Sequence, residues 1–332
     1  MSRAGRMRVL LGLAAADALG AATEFQSSAQ IARRFPKGIK TYASGSPFSF
    51  HPGEATDDTQ MTIATLCGLT SGSRSVAEVL RHYINWLAHG PPDVGGLTRS
   101  ALSLARRGHQ SSAGMRVWQD GGVQNAGNGG LMRVAGVFLA GLTGTELSET
   151  AIAVTALTHA DPRCIVSSLF MVKLLEQLEH MGTSFPESVR LAWETTEQTV
   201  ERIVPTLQAH ACFDGVILTP SVYGHLLQLA VPQVGDRIAA GLNGDTVSQT
   251  GYVLDTLQAA LALHHGASTW LEVAEGAALA GDDSDTVGCV AGAIAGARGF
   301  DVPSSLITAL RVGATWGDWQ RSWTADHFES LL

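Results

Sequence analysis

The segment GDDSDTVGCVAGAIAGA, residues 281–297, passes from an acidic loop into a stretch, 287–297, that carries no charge. So apolar a run does not suit a helix facing solvent, and it predicts one at the centre of the molecule. Gly288, Gly292 and Gly296 recur every fourth residue, on one face of that helix, beside Ala293 and Ala297. Small residues at this spacing let a second helix approach closely. We assign the stripe to packing and give it no chemistry.

Outward from this segment, helical periodicity dominates the chain. It predicts helices over 7–19, 58–70, 76–89, 97–107, 131–140, 146–157, 162–180, 187–208, 234–241, 252–265, 269–279 and 286–297, with a last one over 304–312. Convincing alternating strands are absent. Breaks rich in glycine and proline fall at 43–55, 90–96, 120–130, 212–220 and 280–285, none long enough for a linker between domains. The expectation is an all-α fold, a single compact multi-helix domain over 1–332, with 301–332 as a C-terminal extension that holds Trp316, Trp319 and Trp323.

Lysine and arginine number 22 against 30 aspartates and glutamates, a formal charge of −8, and no long basic run appears. That balance weighs against a protein that tracks nucleic-acid phosphates. The low charged fraction, 16%, beside 45% hydrophobic residues excludes a disordered chain. Cys67, Cys164, Cys212 and Cys289 lie scattered in apolar settings, which fits neither a zinc site nor a disulfide framework and points to a reducing cytoplasm. Arg3, Arg6 and Arg8 ahead of the apolar run 9–16 imitate a secretory signal. Asp17 and Glu24 break the imitation and favour a buried helix that carries carboxylates into a site. No apolar stretch reaches the ~20 residues of a membrane span.

Two acidic segments stand out. Thr56-Asp57-Asp58-Thr59 follows a loop and opens an apolar helix. One such residue suffices to cap a helix; four in a row also make an oxygen-rich site for a hard cation such as Mg²⁺. Asp282, Asp283 and Asp285 crowd three carboxylates into four residues, which repel unless solvated or bridged by a cation. An exposed acidic turn is the plain alternative, but this turn opens a buried helix. If the two loops face each other, they make a two-metal site with ions ~4 Å apart. Weaker features are Glu24, otherwise a surface or capping carboxylate; Gly127-Asn128-Gly129-Gly130, a glycine-rich loop of the kind that offers amides to phosphate; Asp93, after the helix stop Gly90-Pro91-Pro92; and His159, near a helix junction. HExxH, GxSxG and Walker A patterns are missing.

Taken in order, ADALGAATEF (16–25), TDDTQMT (56–62), GPPDVGGLT (90–98), GNGGLMR (127–133), TALTHADP (155–162), GYVLDTLQAAL (251–261) and GDDSDTVGCVAGAIAGA (281–297) resemble the ADP-ribosylglycohydrolases, in particular the bacterial dinitrogenase reductase-activating type. The resemblance covers roughly 8–300. It implies an all-α fold, two divalent cations (Mg²⁺ or Mn²⁺), and cleavage of ADP-ribose from the side chain of a modified protein. Carried over by position, it implies metal ligands at Thr56, Asp57, Asp58, Asp283, Asp285 and Thr286. It puts Glu24 near the metals and Asp93 at the guanidinium of a modified arginine, outside the ligand set. Catalysis then falls to Glu24, Asp57, Asp93 and Asp283, and substrate binding to Asp93, Gly127, Asn128, Gly129, His159 and Tyr252. Two positions depart from the family pattern: Ala16 stands in place of the usual glycine, and Asp282-Asp283-Ser284 in place of the common GDT. The ligand types are retained. A protein that only binds ADP-ribose or blocks a toxin, and a hydrolase for another acceptor, are the alternatives.

Overall fold

The computed structural model describes residues 2–178, 183–313 and 323–332. Ser2 opens the first helix, Arg3–Gly20, by accepting a hydrogen bond from the Gly5 amide at 3.1 Å. From Val9 to Gly20 only Leu11 escapes burial. Against it runs the helix Ser284–Ala297, buried at every position. The two are antiparallel and almost touch. A methyl group added at Gly12 would collide with the Gly292 carbonyl, one at Gly292 with the Gly12 carbonyl, and one at Gly296 with the Arg8 carbonyl. At Gly288 it would lie 2.8 Å from the Ala16 carbonyl oxygen. The glycine stripe read in the sequence is therefore half of a seam, and Gly12, Ala16 and Gly20 are the other half. This seam positions the site: it brings the C-terminal end of the first helix, with Asp17, to the acidic N-terminus of the other.

Further helices pack around this pair. Trp270–Ala280 packs on both members, and Trp270 Nε1 donates to the Gly12 carbonyl at 3.1 Å. Asp57–Thr70 packs on Val76–Ala88, where the buried Trp86 Nε1 donates to Gln60 Oε1 at 2.9 Å. On the far side, Pro162–Leu178 is flanked by Gly144–Ala156, Phe185–Thr199 and Pro220–Leu242. The four cysteines are free. No helix among the described residues is long and apolar enough to cross a membrane.

Several elements differ from the sequence expectation. The helix expected at 234–241 starts much earlier, at Pro220, and runs through Pro232. Proline signals a break because it lacks an amide donor. Here Tyr223, Leu227, Ala230, Val234 and Ile238 all fall on one buried face, and their packing carries the helix across it. The helix expected over 131–140 is a 3₁₀ turn, Asn128–Gly130, and a short helix, Ala135–Leu139. Helices Ser28–Arg34 and Ala113–Asp120 were not foreseen. The last expected helix stops at Ala309, and Arg311–Val312 forms a strand instead. It pairs parallel with Glu54–Ala55 and antiparallel with Trp323–Thr324, a sheet two residues long. Trp316 and Trp319, and the end of the helix expected to reach 180, lie outside the described residues.

Candidate active site

Asp17 organises the first acidic segment. Its carboxylate accepts the Thr56 amide at 2.9 and 3.1 Å, the Thr59 amide at 3.1 Å, and the Thr59 hydroxyl. The turn into the helix Asp57–Thr70 is thus capped from another helix, and the Thr56 side chain is released from capping. Thr56 Oγ1 donates instead to Asp58 Oδ2 at 3.2 Å. Thr286 Oγ1 donates to the same oxygen at 3.3 Å, which joins the second acidic segment to the first.

The second segment is held by main-chain pairing. The Phe25 amide donates to the Asp282 carbonyl at 2.7 Å, and the Asp282 amide to the Gln26 carbonyl at 3.0 Å. Asp282 has φ 51° beside Gly281 at φ 80°, two positive-φ residues in succession at the turn before Asp283. Asn128 Nδ2 donates to Asp283 Oδ2 at 2.6 Å and to Thr256 Oγ1 at 2.9 Å.

These loops wall a cleft of about 650 Å³. Six carboxylates line it, from Glu24, Asp57, Asp93, Asp282, Asp283 and Asp285, and among the described residues no lysine or arginine does. Glu24, Asp93 and Asp285 each offer an oxygen within 4.8 Å of the others. Glu24 Oε2, Asp58 Oδ1 and Asp285 Oδ1 are buried with no hydrogen-bond partner among the described residues. Burial, reinforced by Asp285, Asp93, Asp283 and Asp57, pushes Glu24 up to about 11. Burial likewise lifts Asp57, Asp58 and Asp285 well above the ordinary carboxylate range, each helped by neighbouring carboxylates. Asp93 rises to about 6, chiefly by burial. Such a cluster keeps its charge only when cations neutralise it. Its donors are all oxygens, gathered at the N-terminal ends of two helices, a set that suits hard divalent ions.

Of the residues expected from sequence, Thr56, Asp57, Asp58, Asp283, Asp285 and Thr286 converge, with Glu24 beside them. Asp93 was expected apart from the cation ligands. One of its oxygens lies within 4.8 Å of oxygens of Glu24 and Asp285, in the lining of the cleft. Gly127, Asn128 and Gly129 all line the cleft, and the Asn128 amide donates to Asp283 there. His159 lines it too. Tyr252 is not part of the lining; its backbone pairs with Gly127 and its hydroxyl accepts from Arg163 Nη1 at 3.1 Å. Leu97, Thr98, Met132 and the segment 248–251 line the cleft without having been singled out, and so does Phe25, 67% exposed at the rim with φ 57°. Phe25, Leu97, Thr98, Met132 and Gly251 fall inside the segments that carry the resemblance, whereas Ser248, Gln249 and Thr250 have no local signal.

Comparison with known proteins agrees with this architecture. The sequence matches the ADP-ribosylglycohydrolase family over residues 4–330. It is 27% identical over 308 residues to an ADP-ribosyl-dinitrogen-reductase glycohydrolase of Rhodospirillum rubrum, covering 90% of this chain and 88% of the relative. It is 26% identical over 309 residues to an ADP-ribosylarginine hydrolase of Serratia proteamaculans, covering 87% of this chain and 69% of the relative. Among solved structures, an ADP-ribosylglycohydrolase-related protein complex superposes with a TM-score of 0.70 at 24% identity, over 99% of this chain and 95% of that one, a likeness of fold. With its helical architecture, its acidic cleft and a family match over nearly its whole length, the chain belongs to the ADP-ribosylglycohydrolases, a family of hydrolytic enzymes.

Proposed function

We propose that this enzyme removes ADP-ribose from a modified protein, that arginine is the acceptor, and that two divalent cations, Mg²⁺ or Mn²⁺, assist. The observation that carries the reading is the set of buried oxygens left without partners among the described residues, Glu24 Oε2 and Asp285 Oδ1 in a cleft that no described lysine or arginine lines, and Asp58 Oδ1 beside them. Thr56, Asp57, Asp58, Asp283, Asp285 and Thr286 would hold the ions. When bound, such ions supply a Lewis acid for ribose hydroxyls and for water.

The chain's own groups do the rest. Asn128 fixes the carboxylate of Asp283 in one orientation. Glu24, outside the proposed ligand set and with Oε2 unpartnered among the described residues, takes the proton of the attacking water. Guanidine is a poor leaving group as an anion, so Asp93 retains it as the cation while its bond to the ribose breaks. Gly127, Gly129 and His159 receive the diphosphate side of the ligand, and Tyr252 braces that loop from behind. Residues 1–332 act as one unit, and the free cysteines accord with a cytoplasmic setting.

The test is release of free ADP-ribose from an arginine-modified protein with Mg²⁺, with Mn²⁺ and with EDTA. Cation-dependent release is expected. Tight binding of ADP-ribose with no turnover under any condition would replace the hydrolase by a binding protein.

A further inference from the structure

ADP-ribose carries two phosphates, yet the cleft that would receive it is lined by six carboxylates and, among the described residues, by no lysine or arginine. A guanidinium lies behind the wall instead. Arg133 is fully buried, stacks over the Tyr83 ring at 4.8 Å, and pairs with no carboxylate among the described residues. Its Nη1 donates to the Gly129 carbonyl at 2.7 Å and its Nη2 to Thr158 Oγ1. A guanidinium only donates, so the Thr158 hydroxyl proton must go elsewhere. The other partner of that oxygen among the described residues is His159 Nδ1, at 2.7 Å. Thr158 is 2% exposed, and a buried hydroxyl proton without an acceptor is costly. Nδ1 is therefore the acceptor, and the ring proton sits on Nε2.

Nε2 makes no hydrogen bond within the described protein and faces the glycine loop at the cleft. A methyl group at Gly129 would lie 3.0 Å from it, and one at Gly127 3.4 Å, so the imidazole edge fills the space these glycines leave. Burial and the charge of Arg133 hold the imidazole well below its ordinary pKa, so it stays uncharged beside the guanidinium.

We propose that Arg133 is a positioning residue: through Thr158 it fixes the His159 proton on Nε2 and presents that N–H, beside the Gly127–Gly130 loop, to an anionic oxygen of the ligand's diphosphate. The identity of the anion rests on the functional reading above; the relay does not. In an acidic cleft this arrangement offers the phosphates a donor without placing a cation where it would pair with the catalytic carboxylates.

The experiment uses the full chain labelled with ¹⁵N at histidine, with the His159 signals assigned from a His159→Gln spectrum. Long-range ¹H–¹⁵N correlations separate the two neutral tautomers. Wild type and Thr158→Ser should show the proton on Nε2, and Thr158→Val should lose that pattern. ADP-ribose affinity should fall about tenfold or more in Thr158→Val, return in Thr158→Ser, and follow the tautomer, while adenosine, which lacks phosphate, should bind each variant equally. Arg133→Met should match Thr158→Val; if it does not fold, Thr158→Val carries the test. A wild-type His159 protonated on Nδ1 or on both nitrogens overturns the relay, and so does an unchanged tautomer in Thr158→Val. Unchanged ADP-ribose affinity in Thr158→Val overturns the role in ligand binding. If the tautomers behave as expected and wild type binds no ADP-ribose, the relay stands and the functional reading fails.

Discussion

Thr286 Oγ1 lies 3.3 Å from Asp58 Oδ2, although 228 positions separate them in sequence. Thr56 donates to the same oxygen, so one carboxylate ties both acidic loops together. Asp58→Ala should therefore uncouple the loops. We expect Mn²⁺ affinity, measured by calorimetry, to fall at least tenfold, and ADP-ribose release to fall on the order of 100- to 1,000-fold. Retention of both by the variant would remove Asp58 from the centre of the site.

The carboxylate cluster also predicts how pH and cations act on stability. Burial raises Asp17 and Asp93 to about 6 in the folded protein, above the ordinary value. Acids raised in this way favour folding while protonated; their contribution is complete below about pH 4 and is lost as the pH rises through about 6. Bound cations reverse that loss by stabilising the ionised forms. The gain in melting temperature on replacing EDTA by Mn²⁺ should thus be small near pH 4 and grow to several degrees by pH 7. A gain independent of pH would mean that the ions bind elsewhere.

Asp93→Asn tests acceptor recognition. The amide still shapes a turn but cannot balance a guanidinium. Turnover of the arginine-linked substrate should drop on the order of 100-fold, a few kcal/mol in the transition state. Because Asp93 stands with Glu24 and Asp285, Mn²⁺ affinity is the second readout, and it should fall less than in Asp58→Ala. Wild-type turnover, or a loss no larger than the loss of cation affinity, would leave Asp93 without a part in recognition.

Gly292→Ala should disturb the seam between the first helix and Ser284–Ala297. The new methyl group meets the Gly12 backbone, which cannot turn aside as a side chain can. Overpacking of this kind typically costs about 1–3 kcal/mol. Gly96→Ala is the control, with nothing within 4 Å of the added carbon. Equal melting temperatures for the two variants would show that the helices separate without cost.

Local patterns decided much of this protein. The 3.6-residue period places most helices, the uncharged run 287–297 marks the central one, and the acidic loops before Asp58 and Asp285 mark the site. Each of these is a property of residues close together in the chain, where backbone geometry sets which side chains share a face. The tertiary structure decided which faces meet: Gly12 with Gly292, Asp17 with Thr59, and Asp58 with Thr286. It also drew Asp93 in among Glu24 and Asp285, set Tyr252 behind the cleft wall, and carried a helix through Pro232 against the local signal. These outcomes depend on close packing between distant segments. The free energy of burying a face is spread over the whole core, and no short window of sequence contains it.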